Sequence, residues 1–129
     1  MKILVGIDGF SHSYEALEYA IGEAKIKNTK LTVVLSRREE RTGEDAIRDR
    51  EFLERAQKMM RDKGIEPDSH LLVRGFSPAV DIVKFAEDNS YEHIIEGSHG
   101  RSGITRIILG SVVDEVVHKA HCPVTVFRK

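Results

Sequence analysis

Three glycines and a serine near the carboxyl end of the chain have the spacing of a phosphate-binding loop. Gly97, Gly100 and Gly110 lie in one segment, and Ser111 follows at the start of a helical pattern. Glycine lets the backbone turn sharply and approach a ligand without a Cβ atom in the way. The free N–H groups and the dipole of a helix N-terminus favour a phosphate, to which the serine hydroxyl adds a donor. The segment therefore predicts phosphate binding.

The length of this segment favours the same prediction. Arg101 and Arg106 lie inside it and can form charge-assisted hydrogen bonds with phosphate oxygens. Glycines after a strand also occur in simple flexible connections, and their spacing alone does not separate the two interpretations. A loop of about 13 residues without regular structure is unusual in a compact domain unless it has a function.

Apolar runs of strand length alternate with helical segments along the chain, which predicts the elements that position this loop. Ser11 or Ser13 is the expected N-cap of the first helix, and Ser77-Pro78 opens the third. Gly64, with Pro67 beyond it, ends the second. The predicted strands are 2–7, 31–35, 70–73, 93–96 and 124–127, and the predicted helices are 13–27, 44–63, 77–89 and 111–119, with a charged connection over 36–40.

This order predicts an α/β fold, a doubly wound open parallel sheet with helices on both faces. No linker divides the 129 residues, so we expect a single domain over 1–129. In such sheets ligands bind beyond the carboxyl ends of the strands, at the topological switch point. Asp8 follows the first strand and Gly97 the fourth, so both lie at the switch point if those strands are neighbours.

The composition excludes several classes of protein. A net charge of −1 and a pI near 6.6 argue against nucleic-acid or anionic-membrane binding. Cys122 is the only cysteine, so no intrachain disulfide can form. No apolar run approaches the roughly 18 residues of a membrane helix, and the first run, 2–7, is too short for a signal segment. We expect a cytoplasmic protein.

Two groups of residues that suggest a metal site or catalysis have simpler explanations. His118, His121 and Cys122 lack a fourth metal ligand at suitable spacing, and histidines at a helix C-terminus suit the dipole. His99 lies in the glycine loop without an evident nucleophile, which favours ligand contact over base catalysis. A P-loop is excluded by the missing Gly-Lys-Ser/Thr, and a dinucleotide fold by the glycine positions. A receiver domain would need more acidic residues beside Asp8.

The glycine segment resembles a known signature. Gly97-x2-Gly100-x9-Gly110-Ser111 is similar to the G-x2-G-x9-G-(S/T) nucleotide signature of the universal stress protein family. Residues 3–9, 97–103 and 122–126 also resemble the family's opening strand, central loop and closing strand. The resemblance implies a Rossmann-like, adenine nucleotide alpha hydrolase-like fold with sheet order 3-2-1-4-5. It also implies a homodimer formed through the last strand, Val124–Phe127.

The family's ligand positions transfer to this chain as further implications of the resemblance. Asp8 would meet the ribose or adenine, Gly97 and Gly100 the ribose and phosphates, and Gly110 with Ser111 the phosphate chain. The implied ligand is ATP, or AMP or ADP, with Mg or Mn as an accompanying ion. The complete predicted nucleotide-binding set is Ile7, Asp8, Arg37, Glu96, Gly97, His99, Gly100, Arg101, Gly110, Ser111 and Val112.

The sequence departs from the family pattern at two places near the adenine end. Ser36-Arg37-Arg38 follows Leu35, where relatives are usually apolar, and Glu96 stands where an aliphatic residue is usual. A carboxylate at position 96 could bond a ribose hydroxyl, bind a divalent metal or repel phosphate. It could also pair with the arginines.

Three functions remain open from the sequence. The leading hypothesis is a nucleotide-binding protein that uses ATP as a structural or signalling ligand in the stress response, without being an enzyme. The second is slow ATP hydrolysis, for which His99, Asp8 and Glu96 are the candidates to orient water. The third is a protein-interaction module that leaves the nucleotide site empty or filled by another ligand.

Overall fold

A computed structural model describes residues 2–38, 42–74, 77–98 and 110–128. They form a parallel five-stranded sheet in the order β3-β2-β1-β4-β5, which confirms the predicted doubly wound α/β fold. The strands are β1 (Ile3–Ile7), β2 (Leu31–Arg38), β3 (Ser69–Arg74), β4 (His93–Gly97) and β5 (Val124–Phe127), and the helices are α1 (Ser11–Lys27), α2 (Gly43–Asp62), α3 (Pro78–Asp88) and α4 (Ser111–Lys119).

Alternating side chains of the strands build two hydrophobic cores, one on each face of the sheet. Val5, Val33 and Ile95 pack against α1 and α2. Leu4, Val34 and Ile94 point the other way and pack against α3 and α4. Because β1 lies between β2 and β4, the switch point lies between β1 and β4, as the sequence predicts.

Two local predictions were wrong. Helix α1 begins at Ser11 after Phe10, which makes no capping bond through its side chain. Ser13 instead accepts the Asp8 N–H at 3.3 Å and donates to the Phe10 carbonyl at 2.8 Å, so it holds the β1–α1 turn. The predicted charged connection over 36–40 is also wrong for 36–38. Strand β2 continues to Arg38, where Arg37 pairs in register with Val73 of β3.

The predicted ends of α2 and α3 are confirmed. Ser77 accepts the Val80 N–H as the N-cap of α3, with Pro78 in the first turn. Gly64 follows α2 with φ 77°, the left-handed conformation that glycine adopts without strain. The N-cap of α2, Thr42, forms a capping box with Asp45, which the sequence analysis missed. In the described part of the chain, no helix is long and apolar enough to cross a membrane.

Candidate functional site

A cavity of about 150 Å³ lies at the carboxyl ends of β1, β2 and β4, under the N-termini of α3 and α4. Its position is the switch point of the sheet, where open α/β folds bind ligands. The cavity combines apolar walls with polar groups on both sides. Its lining residues are Gly6, Ile7, Asp8, His12, Ser13, Ser36, Arg37, Pro78, Ile82, Glu96, Gly97, Val112 and Val113.

The structure brings most of the described predicted residues together. Six of them line the cavity, namely Ile7, Asp8, Arg37, Glu96, Gly97 and Val112. Gly110 and Ser111 begin the neighbouring helix α4. His99, Gly100 and Arg101, together with Arg106, lie outside the described residues.

Glu96 is the most unusual of these residues. Its side chain is only 5% exposed, and its Oε1 atom has no hydrogen-bond partner among the described residues. Burial, and secondarily the negative charge of Asp8, raise the pKa of Glu96 from 4.5 to about 8. Glu96 is therefore mostly a neutral carboxylic acid at pH 7. The alternative that it pairs with an arginine finds no support in the described residues, since Arg37 bonds elsewhere.

Arg37 is held by an acidic residue of α2. Its Nε donates to Asp49 Oδ1 at 2.9 Å, and its Nη2 donates to the Asp8 carbonyl at 3.3 Å. Asp49 is buried, so this charged residue of α2 faces the interior of the protein. The guanidinium therefore ties the end of β2 to α2 and to the β1–α1 turn while lining the cavity.

Asp8 shapes the β1–α1 turn at the rim of the cavity. Its Oδ1 accepts the Phe10 N–H at 2.9 Å, a local bond typical of aspartate in turns. Its Oδ2 lies 2.9 Å from His12 Nε2. The Asp8 side chain is 37% exposed, so it can still meet a ligand from solution.

Two glycines of the site, Gly97 and Gly6, make room for neighbouring groups. Gly97 is the last residue of β4, and a Cβ atom there would overlap the backbone carbonyl of His12. Gly97 thus allows the start of α1 to pack closely against β4, and it makes no sharp turn. A Cβ atom on Gly6 would lie 2.5 Å from Glu96 Oε1, so Gly6 makes room for that carboxyl group. Glycine inside a strand is itself a mark of such close approach, and this could have identified Gly6 from the sequence.

Helix α4 presents its N-terminus beside the cavity. Its N-cap, Gly110, has extended backbone angles (φ −63°, ψ 158°) and provides no capping side chain. The N–H groups of the first turn are therefore not capped by Gly110, and Val112 and Val113 of this turn line the cavity. Ser111 is exposed at the first helical position. This arrangement can bind an anion.

Three more buried polar side chains at this edge of the sheet were missed by the sequence analysis. Ser36 donates to Asp81 Oδ2 at 2.7 Å, and both residues are buried. Asp81 Oδ1 and Ser98 Oγ have no partner among the described residues, as is also true of Glu96 Oε1. No sequence pattern marked these residues, because their proximity depends on the packing of α3 against β2.

A larger hollow of about 630 Å³ lies at the opposite edge, beside Asn28, Gly64 and Asp68. Helices α1 and α2 end there, so the dipoles disfavour a phosphate. Asp68 already accepts from Thr32 at 2.6 Å and pairs with Lys30. The smaller cavity is thus the better candidate site.

The histidine and cysteine residues at the end of α4 occupy separate environments. His118 and His121 are exposed, and His118 Nδ1 lies 2.7 Å from the Asp114 carbonyl oxygen. Cys122 packs on the core beneath α3 and α4, and burial raises the pKa of its thiol. Within the described ranges, no three His, Cys, Asp or Glu side chains are grouped to hold a metal ion.

Comparison with known proteins gives the family. The family model described as "Universal stress protein family" matches residues 1–128. The chain belongs to the universal stress protein family. It is 31% identical to a universal stress protein of Methanocaldococcus jannaschii, covering 99% of this chain and 82% of that protein. It is 30% identical to the universal stress protein YxiE of Bacillus subtilis, covering 98% of each.

Solved structures of the family have the same fold. A universal stress protein from Archaeoglobus fulgidus superposes with a TM-score of 0.89 at 34% identity, covering 99% of this chain and 98% of that one. Another structure from this organism, in complex with dAMP, gives a TM-score of 0.86 at 31% identity and the same coverage. The sheet order of this universal stress protein, 3-2-1-4-5, is the one that the family resemblance implied.

Proposed function

We propose that this universal stress protein binds an adenine nucleotide, with the base in the cavity and the phosphates at the N-terminus of α4. The observation that carries the proposal is the geometry of the switch point. An apolar interior lined by Ile7, Ile82 and Val113 opens beside a helix N-terminus that begins at Gly110 and Ser111. Apolar walls with a few polar groups suit a purine ring, and unbonded helical N–H groups suit a phosphate.

The comparisons support an adenine nucleotide as the ligand. The Archaeoglobus fulgidus relative in complex with dAMP shares the fold over almost the whole chain. We further propose ATP, with Mg or Mn as its counterion, because the chain carries the glycine signature of Gly97, Gly100, Gly110 and Ser111. A role in the stress response and a cytoplasmic location belong to the same proposal and follow from family membership.

The described residues favour nucleotide binding over hydrolysis. Glu96 is mostly a neutral acid at pH 7 and cannot accept a proton from water in that form. Asp8 is held by the Phe10 N–H and His12. Neither residue is arranged as a general base, so we propose ATP as a bound ligand.

The proposal is tested by isothermal titration with ATP and magnesium, and with AMP. Gly110→Val keeps backbone angles that valine can adopt but places a branched side chain where the phosphate would approach. We expect binding by the wild type and no detectable binding by Gly110→Val. The control is Gly22→Val on α1, where a Cβ atom would meet open space, and it should bind as the wild type does.

A failure of the wild type to bind at millimolar nucleotide would contradict the proposal. Mass spectrometry of the nucleotide released from denatured protein identifies the ligand directly. If the released nucleotide is AMP or ADP, the proposed site is supported and the proposed ligand is changed from ATP to that nucleotide.

A further inference from the structure

The floor of the cavity is formed by three neighbouring strand positions on one face of the sheet. Gly6, Ser36 and Glu96 each lie two residues beyond a core residue of that face, respectively Leu4, Val34 and Ile94. Strand side chains alternate, so all three positions face α3 and α4. Gly6 has no side chain, and the carboxyl group of Glu96 lies over it.

Among the described residues, one oxygen of the Glu96 carboxyl group lacks the hydrogen-bond partner that a buried polar atom needs. The Glu96 side chain is 5% exposed, its Oε1 is unbonded within the described residues, and it lines the cavity. Leaving such an atom unpaired is unfavourable, so a ligand that supplies the missing hydrogen bond gains affinity from it. Ile82, Val112 and Val113, which line the same cavity, are apolar and offer it no hydrogen bond.

We propose that the Glu96 carboxyl group recognises the base of the nucleotide, pairing with the amino edge of adenine through two hydrogen bonds. Its carbonyl oxygen accepts from the exocyclic 6-amino group, and its hydroxyl donates to the adjacent ring nitrogen. This inference rests on the proposed function and adds the base-specificity residue to it. A glutamine side chain has the same donor and acceptor pattern and pairs with adenine in this manner.

The protonation state decides which base fits. A neutral acid presents one donor and one acceptor, which complements adenine. An ionised carboxylate presents two acceptors and complements guanine, whose corresponding edge has two N–H donors. The site therefore selects adenine over guanine for as long as Glu96 keeps its proton.

The groups around Glu96 keep it protonated near neutral pH. Burial raises its pKa to about 8, with a smaller contribution from Asp8. Asp8 lies beside His12 of α1, and the charge of Arg37 on β2 is directed to Asp49 of α2. On the other face, α3 contributes the carboxyl group of Asp81, bonded to Ser36, whereas α4 contributes two valines to the cavity wall.

The first test is the pH dependence of AMP binding, measured by isothermal titration for wild type and Glu96→Gln. The neutral fraction of a group with a pKa of about 8 falls from about nine-tenths at pH 7 to about one-tenth at pH 9. We expect wild-type AMP affinity to fall about tenfold over this interval relative to Glu96→Gln. Glu96→Gln keeps every other titrating group, so the difference between the two pH profiles reports on Glu96 alone. If AMP affinity depends on pH in the same way in both proteins, the inference is overturned.

The second test removes the amino group from the ligand. Purine riboside monophosphate lacks the 6-amino group of AMP, and Glu96→Leu lacks the carboxyl group while keeping an apolar side chain of similar size. We expect the wild type to prefer AMP about tenfold and Glu96→Leu to bind both ligands alike. If the ratio of the two ligand affinities is the same in the wild type and in Glu96→Leu, Glu96 does not contact the base and the inference is overturned.

A third comparison separates a ribose contact from a base contact. If Glu96 bonds the 2′-hydroxyl instead, the wild type will bind dAMP more weakly than AMP and Glu96→Leu will bind both alike. That result would overturn the inference and leave the proposed function standing. If neither the wild type nor Glu96→Gln binds AMP or ATP at either pH, the proposed function fails and the inference fails with it.

Discussion

Replacing Glu96 by glutamine should stabilise the ligand-free protein, and the gain should grow with pH. The carboxyl group has a pKa of about 8 in the folded chain, against an ordinary value of 4.5. Below pH 4.5 it is neutral in both the folded and the unfolded state, so it imposes no penalty there. As the pH rises from 4.5 to 8, the unfolded chain releases this proton and the folded chain keeps it, so stability is lost.

The size of the effect follows from the two pKa values. One pKa unit corresponds to about 1.4 kcal/mol, and pH 7 lies 2.5 units above the ordinary value of 4.5. The free energy of unfolding of the wild type is thus reduced by about 3 kcal/mol at pH 7 and by about 5 kcal/mol above pH 8. Glutamine has nearly the same shape and no charge to bury, so Glu96→Gln avoids this penalty.

The assay is urea unfolding followed by circular dichroism between pH 5 and pH 9. The stability difference between Glu96→Gln and wild type should widen by about 4 kcal/mol across this range. Glu18→Gln, on the exposed side of α1, is the matched control and should show no such widening. A constant difference for Glu96→Gln at all pH values would refute the assignment of a buried, proton-retaining carboxyl group.

Three further predictions concern packing, the buried ion pair and assembly. Gly97→Ala should lower the free energy of unfolding by about 1–3 kcal/mol, because its Cβ would overlap the His12 carbonyl; in urea unfolding Gly22→Ala is the control and should not destabilise. Asp49→Ala should lower the free energy of unfolding by about 3 kcal/mol, because it leaves the Arg37 guanidinium without its carboxylate. The double variant Arg37→Met/Asp49→Leu removes both charges and should lose less stability. If Asp49→Ala loses no more than the double variant, the pair is not held as described. We also propose a homodimer through the edge strand Val124–Phe127, and sedimentation should give twice the 14.6 kDa chain mass; a 14.6 kDa species at all concentrations would exclude it.

The sequence predicted the order of the elements well, because that order depends on local patterns. The alternation of apolar runs and helical stripes gave β5 and α4 with their observed bounds, 124–127 and 111–119. The end of β2 was not predicted, since Ser36, Arg37 and Arg38 do not form an apolar run. They continue the strand because β3 pairs with all three of them.

The sequence predicted where the candidate site lies better than it predicted which groups interact there. Asp8, Glu96 and Gly97 could be placed at the switch point because strand order fixes where the carboxyl ends meet. The partners of Arg37 and Ser36 could not be predicted, since Asp49 and Asp81 reach the site from helices and lie 12 and 45 residues further along the chain. Their burial depends on how α2 and α3 pack, which no local pattern encodes.

The contact between Gly6 and Glu96 has a consequence for how such a site can arise by mutation. An alanine at position 6 would meet the Glu96 carboxyl group at 2.5 Å, so the carboxyl group would have to move. Glycine at position 6 is therefore what allows glutamate at position 96 to keep its conformation. Substitutions at the two positions should thus be epistatic, because they share one contact.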